Sequence, residues 1–282
     1  MLSIIIPVYN QHDMTDECIQ AVRENTSDYE LIIIDNGSEP AIKKPFTGFV
    51  DTTVIRNEKN LGFPVAVNQG IRAANGDIII LLNNDVIVTP GWSERLVKWL
   101  YAEKIEVTEL GDSEPAYIDK YQPFSIVGPC TNYAAGIQGV TTGIYNSIAE
   151  LNDEAREWSE SYDGAIEEVN FVIGFCMVFK KSLYDEIGEF DESLWPCSCE
   201  EIDFCFKTIE AGHKIGVAYD VYVHHFGSQT FEQMQESGQL NYQNVCKMCD
   251  EHLAKKWGND FWQRQVIERE NDNEEIKAIV NG

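Results

Sequence analysis

The stretch Ile78-Ile79-Ile80-Leu81-Leu82-Asn83-Asn84-Asp85 limits what this chain can fold into more than any other. Five consecutive aliphatic residues, three of them β-branched, are too few to cross a membrane and too uniformly apolar for a strand with one wet face. They read as a strand buried on both faces, inside a sheet flanked by helices. Three polar side chains follow where it ends. Asp85, a single carboxylate at that point, is a hard oxygen ligand suited to Mg²⁺ or Mn²⁺. A plain turn is the other reading, because Asn and Asp side chains bond to nearby backbone amides.

The same design recurs upstream. Leu2 to Val8 is an apolar strand closed by Pro7-Val8-Tyr9-Asn10, followed by a helix from Thr15 to Asn25 with Asp13 as its N-cap. Glu30 to Asp35 is a second buried strand, again ending in a carboxylate. Strand, helix and strand with short links make a right-handed parallel unit, and in such sheets ligands sit beyond the carboxyl ends of the strands. Thr52 to Arg56 is a third strand, and helices are expected from Pro64 to Ala74 and from Pro90 to Glu103. The segment 104–123 is acidic and broken by Gly111, Pro115 and Pro123, and reads as an exposed insertion. Beyond it come a strand at Ser125 to Gly128, a charged surface helix over 147–160, an apolar run from Val169 to Phe179 and a short helix from Ser182 to Ile187. Glu200-Glu201-Ile202-Asp203 opens a helix expected to turn Ile202, Phe206 and Ile209 inward, closed by Gly212. His213 to Val223 returns as a strand ending in His224-His225, and the remainder is helical with an acidic tail, Glu268 to Glu275.

Charge restricts the partners. With 21 Lys+Arg against 47 Asp+Glu the formal charge is −26, which opposes binding to nucleic acid or to anionic lipid heads. A phosphate-bearing ligand must therefore be held locally, by helix N-termini, by a divalent cation or by one of the few basic residues. The eight cysteines are scattered, several inside apolar runs, which suits reduced thiols better than a disulfide framework. Neither Cys246-x-x-Cys249 with His252 nor Cys197-Ser-Cys199 has the paired spacing of a structural zinc motif. No basic leader region and no apolar run approaching 18 residues is present, so the expectation is a cytoplasmic protein without a transmembrane segment.

Five features in order resemble the family 2 glycosyltransferases: Ser3-Ile-Ile-Ile-Pro-Val-Tyr-Asn10, Leu31-Ile-Ile-Ile-Asp-Asn-Gly-Ser38, Asn60-Leu-Gly-Phe63, the Asn83-x-Asp85 strand end, and Glu200-Glu-Ile-Asp203. The resemblance implies an α/β GT-A fold, a Rossmann-like mixed central sheet flanked by helices, with a C-terminal helical extension. It implies a catalytic domain over 1–228, made of a nucleotide-binding half (1–103), the acidic insertion (104–123) and an acceptor-binding half (124–228), and an extension over 229–282. It also implies an inverting enzyme that takes a nucleoside-diphosphate sugar with Mn²⁺ or Mg²⁺. Pro7, Tyr9, Asp35, Asn60, Gly62, Asn83 and Asn84 would line the donor pocket, with Asp35 accepting a hydrogen bond from the base or ribose. Asn83 stands where the family has an acid, which leaves Asp85 as the charged ligand of that motif. His224 or His225 matches a histidine that joins the metal or the diphosphate, and Glu201 falls at the position of the catalytic base.

The chemistry asks for the same groups. A nucleoside diphosphate leaving group gains charge as the sugar bond breaks, and a divalent cation stabilises it. The acceptor hydroxyl needs a base, and two adjacent carboxylates at a helix start, one of them desolvated, offer it. Glu201 is the first candidate, with Glu200 and Asp203 as alternates; first-turn acids favoured by the helix dipole are the competing reading. Trp195 and Phe175 are candidates for the acceptor side, or else core aromatics. The resemblance further implies a saccharide or lipid-linked saccharide as acceptor and the activity of a hexosyl- or rhamnosyltransferase in polysaccharide synthesis. Two other readings remain open: a protein that binds or hydrolyses sugar nucleotides, and a nucleotide-binding interaction module.

Overall fold

A computed structural model of the chain describes residues 1–42, 51–101, 105–107, 116–118, 123–194, 199–227, 229–238 and 240–258. Its first half alternates strand and helix: β1 (Leu2–Val8), α1 (His12–Asn25), β2 (Tyr29–Asn36), β3 (Thr52–Asn57), α2 (Phe63–Ala73), β4 (Ile78–Leu82), β5 (Val86–Ile87) and α3 (Trp92–Trp99). Strands β3, β2, β1 and β4 lie side by side in that order, all parallel. Every residue of β4 is buried, as a strand covered by helices on both faces requires. One glycine sets how close the helix layer comes. A Cβ on Gly70 of α2 would lie 2.4 Å from Cγ2 of Ile5 on β1, so only a glycine permits that approach.

The second half adds β6 (Ile105–Val107), β7 (Ala116–Ile118), β8 (Phe124–Thr131), α4 (Ile148–Ser161), β9 (Ile166–Val169), β10 (Cys176–Lys180), α5 (Lys181–Ile187), α6 (Glu200–Glu210), β11 (Lys214–His225), α7 (Gln229–Glu236) and α8 (Tyr242–Trp257). Strand β10 runs antiparallel between β4 and β8, while β11 is parallel to β8 and antiparallel to β5 and β9. The result is the mixed nine-stranded sheet flanked by helices that the sequence implies.

Several local expectations are corrected. Helix α1 starts at His12 behind a left-handed Gln11 with no side-chain cap, so Asp13 falls inside the first turn, where its charge suits the helix dipole. Helix α3 stops at Trp99 instead of reaching Glu103, and its Trp92 is fully buried with the indole N–H donating to the Thr26 hydroxyl at 2.9 Å. The apolar run from Val169 to Phe179 is the end of β9, a connection and β10. On α6 the buried set is Glu200, Glu201, Asp203, Phe204, Cys205, Phe206 and Thr208, whereas Ile202 and Ile209 are only half-buried. Within the expected acidic insertion, β6 and β7 pair antiparallel; its other residues apart from Pro123, and the acidic tail, lie outside the described residues. None of the described cysteines forms a disulfide, and no described helix is long and apolar enough to cross a membrane.

Candidate active site

A cleft of roughly 660 Å³ opens at the carboxyl ends of β1, β4 and β8, between those strand ends and the start of α6. Of the residues singled out in the sequence, Pro7, Tyr9, Asn60, Asn83, Asn84, Asp85, Phe175, Glu200, Glu201 and His225 line it.

Its centre is a pair brought together by the sheet. Strand β5, which follows Asp85 directly, pairs antiparallel with the end of β11, setting Val86 opposite His225. Nε2 of His225 then lies 3.3 Å from Oδ1 of Asp85, both side chains buried. The other ring nitrogen, Nδ1, is 2.8 Å from the Tyr133 carbonyl oxygen. A carbonyl only accepts, so Nδ1 carries the hydrogen and Nε2 is the atom turned to Asp85. The ring is clamped by Phe175, stacked at 5.1 Å and 19°, and by the edge of Tyr133 at 5.9 Å. Its backbone is gripped by Asn132, whose Oδ1 accepts from the His225 N–H at 2.9 Å and whose Nδ2 donates to the His225 carbonyl at 3.1 Å.

Asp85 Oδ1 and His225 Nε2 are both buried without a hydrogen-bond partner. In the neutral imidazole two acceptor atoms then stand side by side without a donor, an arrangement that a cation satisfies. A carboxylate oxygen and an imidazole nitrogen together suit Mn²⁺ or Mg²⁺, Mn²⁺ better because of the nitrogen. Among the described residues no cluster of three or more His, Cys, Asp or Glu is placed to hold a metal.

The neighbours divide into lining and support. His224 faces the other way, as side-chain alternation demands, with Nδ1 2.6 Å from the Tyr145 hydroxyl and its pKa lowered by burial and then by His225. It is removed from the metal candidates. Asn84 donates to the Thr15 hydroxyl at 3.0 Å, tying the strand end to α1, and the Asn83 amide donates to the Phe175 carbonyl at 2.9 Å. These bonds anchor the strand end, while Asp85 Oδ1 is left without a hydrogen-bond partner. Phe175 is 1% exposed beneath His225 and supports the ring; it is not a platform for an acceptor.

Asp35 differs from expectation. It is fully buried and does not line the cleft: Oδ1 accepts from the Ser38 amide at 3.0 Å, Oδ2 from the Ile42 amide at 2.8 Å, and the Arg56 guanidinium lies at 2.6 Å. Burial opposes its charge, but these donors prevail and hold its pKa below the usual carboxylate range. Gly62 also stays behind the cleft wall; left-handed at φ 92°, it precedes α2 and its amide donates to Asn60 Oδ1 at 2.9 Å. The adjoining Asn36, not singled out from the sequence, lines the cleft and donates to Asn60 Oδ1 at 3.0 Å.

The three carboxylates of α6 have separate fates. Glu201 is buried, and burial raises its pKa although the amides of Glu201, Gly174 and Ile202 hydrogen-bond to it. Glu200 Oε2 accepts from the Cys199 amide at 3.2 Å. Asp203 leaves the candidate bases: it is fully buried, with Trp257 Nε1 donating to Oδ1 at 2.9 Å, Lys256 Nζ 2.8 Å from that oxygen, and Lys207 at 3.3 Å from Oδ2. Trp195 lies outside the described residues. The sequence reading missed Asn132 and Tyr133, which follow the end of β8 much as Asn83 to Asp85 follow β4. It also missed the wall supplied by α7 and α8, including Met234, Cys249 and Leu253.

A mixed sheet with its ligand cleft at the ends of β1 and β4 is the GT-A arrangement of the glycosyltransferases, and solved structures of that fold superpose on it. GalNAc-T7, solved with UDP, GalNAc and Mn²⁺, gives a TM-score of 0.56 at 16% identity over 80% of this chain and 43% of its own. The mannosyltransferase PcManGT from Pyrobaculum calidifontis, in complex with GDP-Man and Mn²⁺, gives 0.53 at 14% identity over 95% of this chain and 74% of its own. Residues 3–109 match the model of glycosyl transferase family 2, the stretch that holds the first four of the motifs that resemble that family. Glycosyltransferase AglE of Haloferax volcanii is 24% identical over 227 residues, which is 78% of this chain and 65% of AglE. The chain spans smaller shares, 23% and 37%, of two other curated relatives.

Proposed function

We propose that this chain transfers a sugar from a nucleoside-diphosphate sugar to a hydroxyl of a saccharide or lipid-linked saccharide, with inversion in one displacement. The observation that carries the reading is the unsatisfied Asp85–His225 pair, 3.3 Å apart in the same cleft as the buried Glu201. Asp85 and His225 would hold Mn²⁺ or Mg²⁺, which when bound supplies Lewis-acid neutralisation of the diphosphate leaving group. Complexes of the solved relatives with UDP or GDP-Man and Mn²⁺ support that choice.

The protein's own groups do the rest. Pro7, Tyr9, Asn36, Asn60 and Asn83 bind and orient the donor on the side of the cleft formed by β1 and β4. Glu201 takes the proton of the acceptor hydroxyl as that oxygen attacks, and its raised pKa brings it nearer the working pH of a general base. Glu200 shapes the turn into α6, and Asn132, Phe175 and Tyr133 hold His225 in place. The catalytic domain spans 1–228, and the extension from 229 completes the cleft through α7 and α8.

A panel of sugar nucleotides incubated with the protein and Mn²⁺, with released nucleoside diphosphate as the readout, tests this. Release from one donor, stimulated by acceptor and abolished by chelator, is expected. Release that ignores every acceptor supports the second reading, a sugar-nucleotide hydrolase, for which Asn83 in place of an acid is the motivating observation. Nucleotide binding without any release leaves an interaction module.

A further inference from the structure

Two thiols in the cleft are used by no step above. Cys199 immediately precedes α6 and is buried; Cys249 lies on α8 and is half-buried, and both line the cleft. Their meeting follows from how α8 seats on α6. One turn and two turns beyond the cysteines the seam is fixed by Trp257 and Lys256 on Asp203, at 2.9 and 2.8 Å, and by the edge of the Trp257 ring on Phe206 at 5.8 Å. Leu253, one turn after Cys249, closes a small apolar cluster with Leu194 and Cys199, against which Cys249 packs. At the cleft end of this seam the two thiols hydrogen-bond to each other.

We propose that Cys199 and Cys249 are an oxidisable dithiol that closes into a disulfide and pins α8 to the start of the helix bearing Glu200 and Glu201. Cys249 is the attacking sulfur, because it faces the cleft and the hydrogen bond from Cys199 favours its thiolate, lowering its pKa. With a hydroperoxide as oxidant, the Cys249 thiolate attacks the distal peroxide oxygen, the O–O bond breaks and an alkoxide or hydroxide leaves with a proton from solvent. The Cys249 sulfenic acid is then attacked by the Cys199 sulfur; the S–S bond forms, the S–O bond breaks, and the Cys199 proton leaves with the hydroxyl as water. The two sulfurs are oxidised by two electrons in total and the peroxide is reduced by two. Cys246, one turn before Cys249 and also in the cleft wall, is the control thiol.

The test treats the full chain with hydrogen peroxide, then alkylates it and maps the peptides by mass. The expected product is lighter by two hydrogen atoms, mapped to Cys199–Cys249, reversed by dithiothreitol, retained in Cys246→Ser and lost in both Cys199→Ser and Cys249→Ser. In Cys199→Ser, a dimedone-trapped sulfenic acid should accumulate on Cys249. No disulfide at doses that oxidise the half-buried Cys246, or one mapping to Cys246–Cys249, overturns the proposal. The mass readout does not depend on sugar transfer, so it stands or falls apart from the function proposed above.

Discussion

Two acceptor atoms held 3.3 Å apart at Asp85 and His225 without a donor carry a local cost, and that cost makes a distinctive prediction. In Asp85→Asn the new amide donates to Nε2, so the metal-free protein should melt no lower than the wild type. The rise in melting temperature that Mn²⁺ gives the wild type should vanish, as should the calorimetric signal of Mn²⁺ binding. A variant that still binds Mn²⁺ as the wild type does removes Asp85 from the site. Glu201 allows a second test. Burial disfavours its charged form, so the proton is held to a pH above the usual carboxylate range, and a base must lose that proton to work. Transfer should therefore fall as pH drops through this raised pKa. Glu201→Gln should lower kcat by roughly 10²- to 10⁴-fold with donor affinity retained, and should not lower the melting temperature at neutral pH, since no buried carboxylate remains to be charged. Glu200→Gln should keep most activity. If the two variants exchange these behaviours, Glu200 is the base. Asp85 was legible because it closes an all-apolar strand. That His225 and not His224 meets it was not, since the choice depends on the register of β5 against β11, set by residues far apart in the chain.

Elements show where periodicity succeeds and where it misleads. Strands β1, β2 and β4 were legible because residues covered on both faces must all be apolar. Helix α6 was misread because the sheet covers one side and α8 the other, so its buried set includes acids that no apolar stripe announces. Asp203 is the plainest case: it reads as a first-turn acid yet is the buried anchor of α8. Asp203→Ala leaves Lys256 and the Trp257 indole without their acceptor. A buried pair broken this way costs roughly 3–5 kcal/mol; with 31% of the Lys256 side chain exposed, a loss of about 2–3 kcal/mol in denaturant unfolding is expected. A loss under about 0.5 kcal/mol, the range of an ordinary surface substitution, contradicts the anchoring role. Gly70→Ala sets a methyl against Ile5 between α2 and β1 and should cost about 1–3 kcal/mol by overpacking.

Across the whole molecule the −26 charge works against compactness, so screening should help. Raising NaCl from about 0.01 to 0.15 M shortens the Debye length from roughly 30 to 8 Å and should raise the melting temperature; a fall would mean that attractive ion pairs outweigh the net repulsion. The same excess means that a phosphate-bearing ligand has to be held locally, an expectation available from composition before any fold was known. The order in which the sheet is assembled carries a consequence for synthesis. Strands β1 to β4 leave the ribosome early and can pair among themselves, but Asp85 gains its partner only when β11, near residue 225, arrives to lie against β5. On the proposed reading, a nascent or prematurely terminated chain would possess the parallel half-sheet and the matched family segment and still lack the pair that would hold a divalent ion. Metal retention would then be a readout of completed translation, and a proteolytic nick that frees the last strand should abolish Mn²⁺ binding while leaving the first four strands folded.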